Sequence, residues 1–462
     1  LSTKVSTPEA YRLIHDGAVA LAGVEANGIQ IDVQYLDGAI ADVGARIQRL
    51  EGQFRDHAYW TEWKKLYGTN ANLGSREQLG KLLFSHMGLA NERTTASGKL
   101  AVDAVALEQC QHPFARNYIK LENLKKLQST YLLGVRREVA PSGLLHVFYN
   151  LHRTLTYRSS SEAPNFQNIP IRDPEMAKWI RRAFVPRCNR QLLELDFKGI
   201  EVGVAACYNL DPQLISYVKD KSTDMHRDTA AELFMLPETA IPKNVRQAVK
   251  GSFVFAQFYG DWYVACTKSL WADIEKLGLK TADGVCLYEH LARHGVRERG
   301  ECRDSTTATG GTFEAHVKSV EKKFWKKRFK VYDRWREQFY SDYLKNGGFA
   351  THTGFYITGL YGRNNVTNYP IQGSAFHCLL WCLIRLGRQL RQRRMQSLIV
   401  GQIHDSMVLD VVPAELDEVV GMVQEIVRSL LKEWRWIIVP LEIEMELAPV
   451  GGSWFDKKEF KI

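Results

Sequence analysis

Residues 245–260, VRQAVKGSFVFAQFYG, constrain this chain more than any other stretch. Arg246 and Lys250 stand one helical turn apart, and Phe255 and Tyr259 repeat the spacing, so each pair shares a helix face. Two neighbouring cations form a clamp for a polyphosphate, and the two rings beyond them offer flat surfaces for a sugar or base. The same residues also suit a surface helix with a solvated basic edge and an aromatic core edge, since pairs of both kinds are common. The choice depends on the rest of the chain.

Two carboxylate motifs bear on it. LLELDF, residues 192–197, alternates apolar and acidic residues as a strand does, and Gly199 breaks the run. LIVGQIHDSMVLD, residues 398–410, reads as two apolar strands joined by a tight polar turn. Asp196 and Asp405 thus stand at strand ends. A buried lone aspartate is costly, and two brought together repel unless a divalent cation lies between them, which is what a two-metal phosphoryl-transfer site requires. On spacing alone, strand-end aspartates are more often caps or turn formers than metal ligands.

Taken together, DFKGIE (196–201), R-x3-K followed by FxxxYG (246–260) and IHDS (403–406) resemble motifs A, B and C of family A DNA polymerases, in that order. TYRSSSEAPNFQNIP (156–170), DMHRDTAAELF (224–234) and NYPIQGSAFHCLL (368–380) agree, and the resemblance extends to the GGSW around Trp454. The wording is most similar to phage or viral members. Each piece is weak by itself, whereas the ordered set is specific.

The resemblance implies an α+β right-hand polymerase with an antiparallel-sheet palm, α-helical fingers and an α-helical thumb. Residues 1–35 would be a palm-associated segment, 36–149 the thumb, 150–205 and 356–462 the palm, and 206–355 the fingers with an insertion at about 270–312. The implied reaction is template-directed addition of deoxynucleoside triphosphates to a primer 3′-hydroxyl. Asp196, Asp405 and the Phe197 carbonyl would hold two Mg2+ ions, with Mn2+ as a substitute. His226, Arg246 and Lys250 would neutralise the triphosphate, and Tyr259 would stack near the template base. Glu201 against Phe255 would form a gate on the sugar's 2′ side. Arg158, Asn368, Gln372 and His404 would contact primer-template, Arg158 and Gln372 from the minor groove, where they test shape rather than sequence. Without the family, Arg158 is an ordinary surface arginine, His226 a capping or core histidine, and Gln372, after Pro370, a turn residue.

Length and charge are compatible with this. At 462 residues and 45% hydrophobic content, two or three subdomains with a large core are expected. A net charge of +9, from 61 basic and 52 acidic residues, suits a polyanionic partner and a soluble surface equally. Eight cysteines form no CxxC pair and read as reduced intracellular thiols, with Cys378 and Cys382 buried in an apolar run. No apolar run reaches about 18 residues and Leu1 has no signal-like preface, so a cytoplasmic monomer is expected, the polymerase part of a longer product. Residues 1–150 carry no apolar strand with Asp-x-Glu, so proofreading is expected to be absent.

Along the chain, residues 8–32 read as a helix turning at Gly28 into a strand, and 36–63 as one long amphipathic segment. Asn72 to Ser75 cap a helix through Met87, a polar loop with Arg93 and Lys99 follows, and residues 116–135 form a further helix. The loop suits a solvated surface better than a phosphate contact. Short strands and loops fill 143–170, and 261–312 reads as a Gly- and Thr-rich loop insertion of no assigned role. Residues 313–344 read as one long helix with Trp325, Phe329, Tyr332 and Trp335 or Arg336 inward. Its flank of Lys322, Lys323, Lys326, Lys327, Arg328 and Lys330 suits a solvated edge better than a DNA-facing one.

Two departures from the family pattern matter. Phe255 and Tyr259 fall five and nine residues after Lys250, where the family spacing is four and eight. One extra residue rotates the rings by about 100° on an ideal helix, so either a π-bulge absorbs it or the lysine acts from a shifted position. Ser406 stands where most members have a glutamate. A single-subunit RNA polymerase, a reverse transcriptase-like activity and a non-catalytic duplex-binding protein are the alternatives. Glu201 beside an aromatic argues against a ribose-accepting pocket, and both aspartates argue against a non-catalytic scaffold.

Overall fold

The computed structural model describes residues 5–460 apart from 92–94, 96–97, 99, 111, 172 and 304–308, so Arg93 and Lys99 lie outside the described residues. The first helix, Pro8–Asn27, has the signals its ends need: Thr7 accepts the Ala10 N–H, proline occupies the first turn, and Gly28 closes the other end. The strand Ile29–Ile31 then pairs with Leu144–Leu145 and Phe184–Val185 in a small antiparallel sheet.

A mainly helical region lies between the first two of those strands. The run over 36–63 is two helices rather than one, Val33–Asp56 and Ala58–Tyr67. His57 divides them, because its N–H closes the first on the Phe54 carbonyl and its ring Nδ1 accepts the Tyr59 N–H to open the second. Ser75 caps Arg76–Gly80 as expected, and Pro113–Lys126 continues through a π turn into Leu133–Glu138.

The principal sheet has five strands: β1 Gln191–Phe197, β2 Leu398–Ile403, β3 Ser406–Val411, β4 Ile443–Leu447 and β5 Lys458–Glu459. Their order is β5-β4-β1-β3-β2, with every pairing antiparallel. Side chains alternate between faces. Leu193, Leu195 and Phe197 join Met407, Leu409 and Val411 in the main core, beneath the helices Arg363–Gln392 and Leu416–Glu433. The opposite face starts apolar, with Leu192 and Val408 among Phe166, Phe184 and Trp454, and turns acidic at Glu194 and Asp196. Asp196 therefore stands at the end of the sheet that the apolar packing leaves open to water, with Glu194 held just inside it.

Three further expectations change. Residues 261–312 are not simply a loop, since they contain the helices Tyr263–Lys276 and Leu287–Arg293, whose Leu270, Ile274, Leu287 and Leu291 enter the main core. The long helix over 313–344 is two, Phe313–Lys323 and Lys330–Asn346, joined by a π turn and broken at Phe329, a fully buried ring whose backbone leaves helical geometry. Gln372 is no turn residue, because Arg363–Gln392 runs straight through Pro370. The buried apolar run from Ile371 to Leu390 holds the helix across the hydrogen bond that proline cannot donate. All eight cysteines are free thiols. Among the described residues no helix is long and apolar enough to cross a membrane.

Candidate active site

Strand β1 ends in Asp196 and Phe197, and Gly199 (φ +57) then takes the left-handed conformation that starts the helix Ile200–Asn209. That turn sets Glu201 in the first helical turn, facing the same cleft as Asp196. Strands β2 and β3 form a two-residue hairpin, in which Ser406 pairs with Ile403 and His404 has φ +48. Positive φ is what such tight hairpins demand. Ser406 also lies opposite Asp196, and the Phe197 N–H donates to the Asp405 carbonyl at 3.3 Å, so the two aspartates meet at the open end of the sheet.

Their surroundings raise both carboxyl groups. Asp196, exposed to water on its cleft side but with protein mass around it, is pushed up to about 7 by that burial, then by Asp405, Glu194 and Glu444. Asp405 is raised to about 6, burial outweighing the help of Arg158. Two hard oxygen donors held together against their own repulsion are a donor set that a divalent cation relieves. Among the described residues no group of three or more His, Cys, Asp or Glu side chains gathers for a metal, so carbonyl oxygens, water or substrate oxygens would complete a shell.

Arg158 spans the cleft, with Nη1 at 3.2 Å from Glu201 Oε1 and Nη2 at 3.5 Å from Asp405 Oδ1. Its loop approaches the long helix at Gly373, where a Cβ would come within 2.7 Å of the Thr156 carbonyl oxygen. Glu201 receives the Tyr259 hydroxyl on its other oxygen. The aromatic that holds Glu201 is therefore Tyr259 rather than Phe255, which lines the cleft beside it.

The helix carrying the basic and aromatic residues is Lys243–Val249, followed by a π turn over Lys250–Phe255 and a last turn, Ala256–Phe258. The extra residue is absorbed there, so Lys250, Phe255 and Tyr259 line one cleft despite their spacing, with Lys250 Nζ 5.4 Å from the Phe255 ring centre. Asn368 donates to the Tyr259 carbonyl at 3.0 Å and Asn364 to that of Gly260 at 3.0 Å, which fixes the end of this helix to the start of Arg363–Gln392.

The cleft has a volume of about 500 Å³. Of the residues singled out from sequence, Arg158, Asp196, Phe197, Glu201, Lys250, Phe255, Tyr259, Asn368, Gln372, His404 and Asp405 line it. His226 and Arg246 stand just outside its walls. Both are organised by Asp224, which accepts the His226 N–H as a helix cap and the Arg246 guanidinium at 2.5 Å. Burial, then Arg246 and Lys250, lowers His226 to about 4. Phe258 and Tyr332 also line the cleft and escaped sequence reasoning. Phe258 follows Phe255 by three, a helix-face spacing that could have found it, whereas Tyr332 reads as core from its own helix.

The polymerase domain of Pol1 from M. smegmatis, solved in complex with DNA primer-template and dNTP, superposes with a TM-score of 0.75 over 96% of this chain and 70% of that one, at 22% identity. The fold is accordingly of the right-hand polymerase class, α+β with an antiparallel-sheet palm. The model of DNA polymerase family A matches residues 43–275 and 359–456, and the chain belongs to that family. DNA polymerase I, thermostable, of Thermus aquaticus is 28% identical over 446 residues, 96% of this chain and 48% of that protein. DNA polymerase I of Geobacillus stearothermophilus is 27% identical over 458 residues, 97% of this chain and 47% of that protein. The chain thus spans about half the length of the curated relatives it matches. Between the two matched stretches lie residues 276–358, with the broken helix pair Phe313–Lys323 and Lys330–Asn346.

Proposed function

We propose that this chain is a DNA-directed DNA polymerase, extending a primer 3′-hydroxyl with deoxynucleoside triphosphates on a DNA template. The observation that carries the reading is the meeting of Asp196 and Asp405 at the open end of the sheet, across one cleft from Lys250, Phe255 and Tyr259. In this reading residues 36–149 act as thumb, 150–205 and 356–462 as palm, and 206–355 as fingers.

Asp196, Asp405 and the Phe197 carbonyl would hold two Mg2+ ions, with Mn2+ as a substitute. When bound, such ions would lower the pKa of the primer hydroxyl and stabilise the leaving phosphates. Lys250 supplies positive charge to the triphosphate from within the cleft, and Arg246 adds potential from one turn behind. His226, held neutral, can donate an N–H to a phosphate oxygen without adding charge. The Phe255 and Tyr259 rings bound the sugar and the templating base. Arg158, Gln372 and His404 line the side where the primer end would lie, with Asn368 bracing Tyr259. The primer oxygen attacks the α-phosphorus as the bond to the pyrophosphate oxygen breaks. Extension of a primed DNA template that requires Mg2+ and fails in Asp405→Asn tests the reading; extension persisting in that variant overturns it.

A further inference from the structure

The acidic end of the sheet carries more charge than the two proposed cation ligands. Glu194 precedes Asp196 by two residues on the same face of β1, about 7 Å away. On β4, Glu444 lies opposite Asp196 and Glu446 opposite Glu194. Like charges directly opposite on neighbouring strands repel. Glu444 is exposed and meets the surface residue Lys198 at 3.4 Å. The other pair is met by a lysine from far along the chain.

Lys457 reaches both remaining carboxylates, touching Glu194 Oε2 and lying 2.5 Å from Glu446 Oε2. The Lys457 and Glu194 side chains are only 11% and 12% exposed, a setting in which an ammonium needs partners. The Trp454 indole N–H also fixes Glu194, donating to Oε2 at 2.7 Å, and the Ser406 hydroxyl, whose one proton is shared between the Ile403 carbonyl at 3.0 Å and Glu194, lies 3.2 Å from Oε1. Trp454 is itself fully buried, with the Arg181 guanidinium over its ring at 3.8 Å. Glu194 and Lys457 therefore stand as a fixed pair of opposite charges beside Asp196, and they act on its carboxyl in opposite directions.

We infer that Lys457 is a positioning residue that sets how tightly the Asp196–Asp405 pair holds a divalent cation, by cancelling the charge that Glu194 places next to Asp196. This rests on the reading of the cleft as a cation site. Without Lys457, the charge of Glu194 adds to the attraction on a cation. Without Glu194, the charge of Lys457 opposes it. A pair that served only to hold the strands together would instead weaken cation binding through disorder whichever partner was lost.

The test is Mn2+ binding to the purified chain without nucleic acid, read from the electron paramagnetic resonance of free Mn2+. Lys457→Met is expected to tighten binding by at least about threefold and Glu194→Gln to weaken it by about as much, with the double variant within about twofold of the parent. Glu446→Gln, at a half-exposed position, leaves Lys457 less neutralised and weakens binding, which provides a test should Lys457→Met not fold. Shifts in the same direction for Lys457→Met and Glu194→Gln, or no weakening in Glu446→Gln, overturn the inference. Parent binding that persists in Asp405→Asn overturns the cation site itself, a separate outcome.

Discussion

The Tyr259 hydroxyl donates a hydrogen bond to Glu201 Oε2 while Arg158 holds Oε1 at 3.2 Å, so the carboxylate is gripped from both sides. Glu201 starts one helix and Tyr259 ends another, and the bond joins them across the cleft. Burial and the Glu201 charge raise the Tyr259 phenol, which keeps it a donor. In the proposed reading, a side chain held this way leaves no play for an extra hydroxyl on a sugar.

Discrimination between deoxyribose and ribose should depend on that grip. A pocket rejects one hydroxyl by leaving it neither room nor a partner. Glu201→Ala is expected to raise ribonucleotide use relative to deoxynucleotide use by at least about tenfold, equivalent to about 1.4 kcal/mol. Tyr259→Phe, which leaves the carboxylate in place but loosens it, should give a smaller rise. Single-nucleotide insertion kinetics with paired dNTP and NTP measure both, and an Ala ratio within twofold of the parent would remove Glu201 from the gate.

Asp196→Asn and Asp405→Asn should each abolish extension while leaving duplex affinity within about threefold. On the proposed reading, duplex binding would draw on many phosphate contacts, whereas chemistry would depend on this one pair. Gel-shift titration beside primer extension separates the two effects. Extension near the parent rate in either variant would mean that the pair does not hold the reacting centre.

The placement of the aspartates at the ends of apolar strands was legible in the sequence, but their meeting was not: spacing left them open as caps or turn formers, and only the ordered motifs of the family resemblance joined them. The register of Ser406 against Asp196 then brings them together. The helix break at His57 was not legible, because both flanking runs keep helical periodicity and the break depends on a histidine ring acting as a cap. Nor was the break at Phe329, a residue read as inward and found buried, or the helices within 261–312, where turns rich in glycine and threonine hide short apolar repeats. The hydrogen bond from Tyr259 to Glu201 was not legible either, because the two residues lie on separate helices and no spacing along the chain reports a contact across the cleft; the family resemblance had paired Glu201 with Phe255 instead.

The π turn over Lys250–Phe255 makes a counterintuitive deletion informative. If the turn exists to absorb one extra residue, removing Gly251, which is exposed, should restore a plain helix and leave Lys250, Phe255 and Tyr259 in phase. The KM for dNTP is then expected to stay within about threefold and helix stability to rise, since glycine in a helix costs about 1 kcal/mol. A KM more than tenfold higher would indicate that the deletion rotated the rings by about 100° and that the π turn does not set their phase.

Acid sensitivity should trace to buried neutral histidines. Burial holds His377 down to about 3 and, with Arg246 and Lys250, His226 to about 4; His316 and His352 are lowered by burial as well. In the unfolded chain each titrates near 6.5. Above that pH both states are neutral at these sites and stability does not depend on them. As pH falls below about 6.5 the unfolded chain binds protons that the folded chain refuses, so each histidine removes up to about 1.4 kcal/mol per pH unit until its folded value is reached. Asp196 and Asp405, raised in the folded state, act in the opposite sense, so the comparison must be with a variant rather than with the raw slope. His377 accepts or donates a 2.7 Å bond with Thr353 Oγ1, which an asparagine amide can also make. Urea denaturation of the parent and His377→Asn between pH 7.5 and 5 should show equal dependence above about 6.5 and a shallower loss in the variant below it. Parallel curves throughout would mean that the His377 ring is protonated in the folded chain.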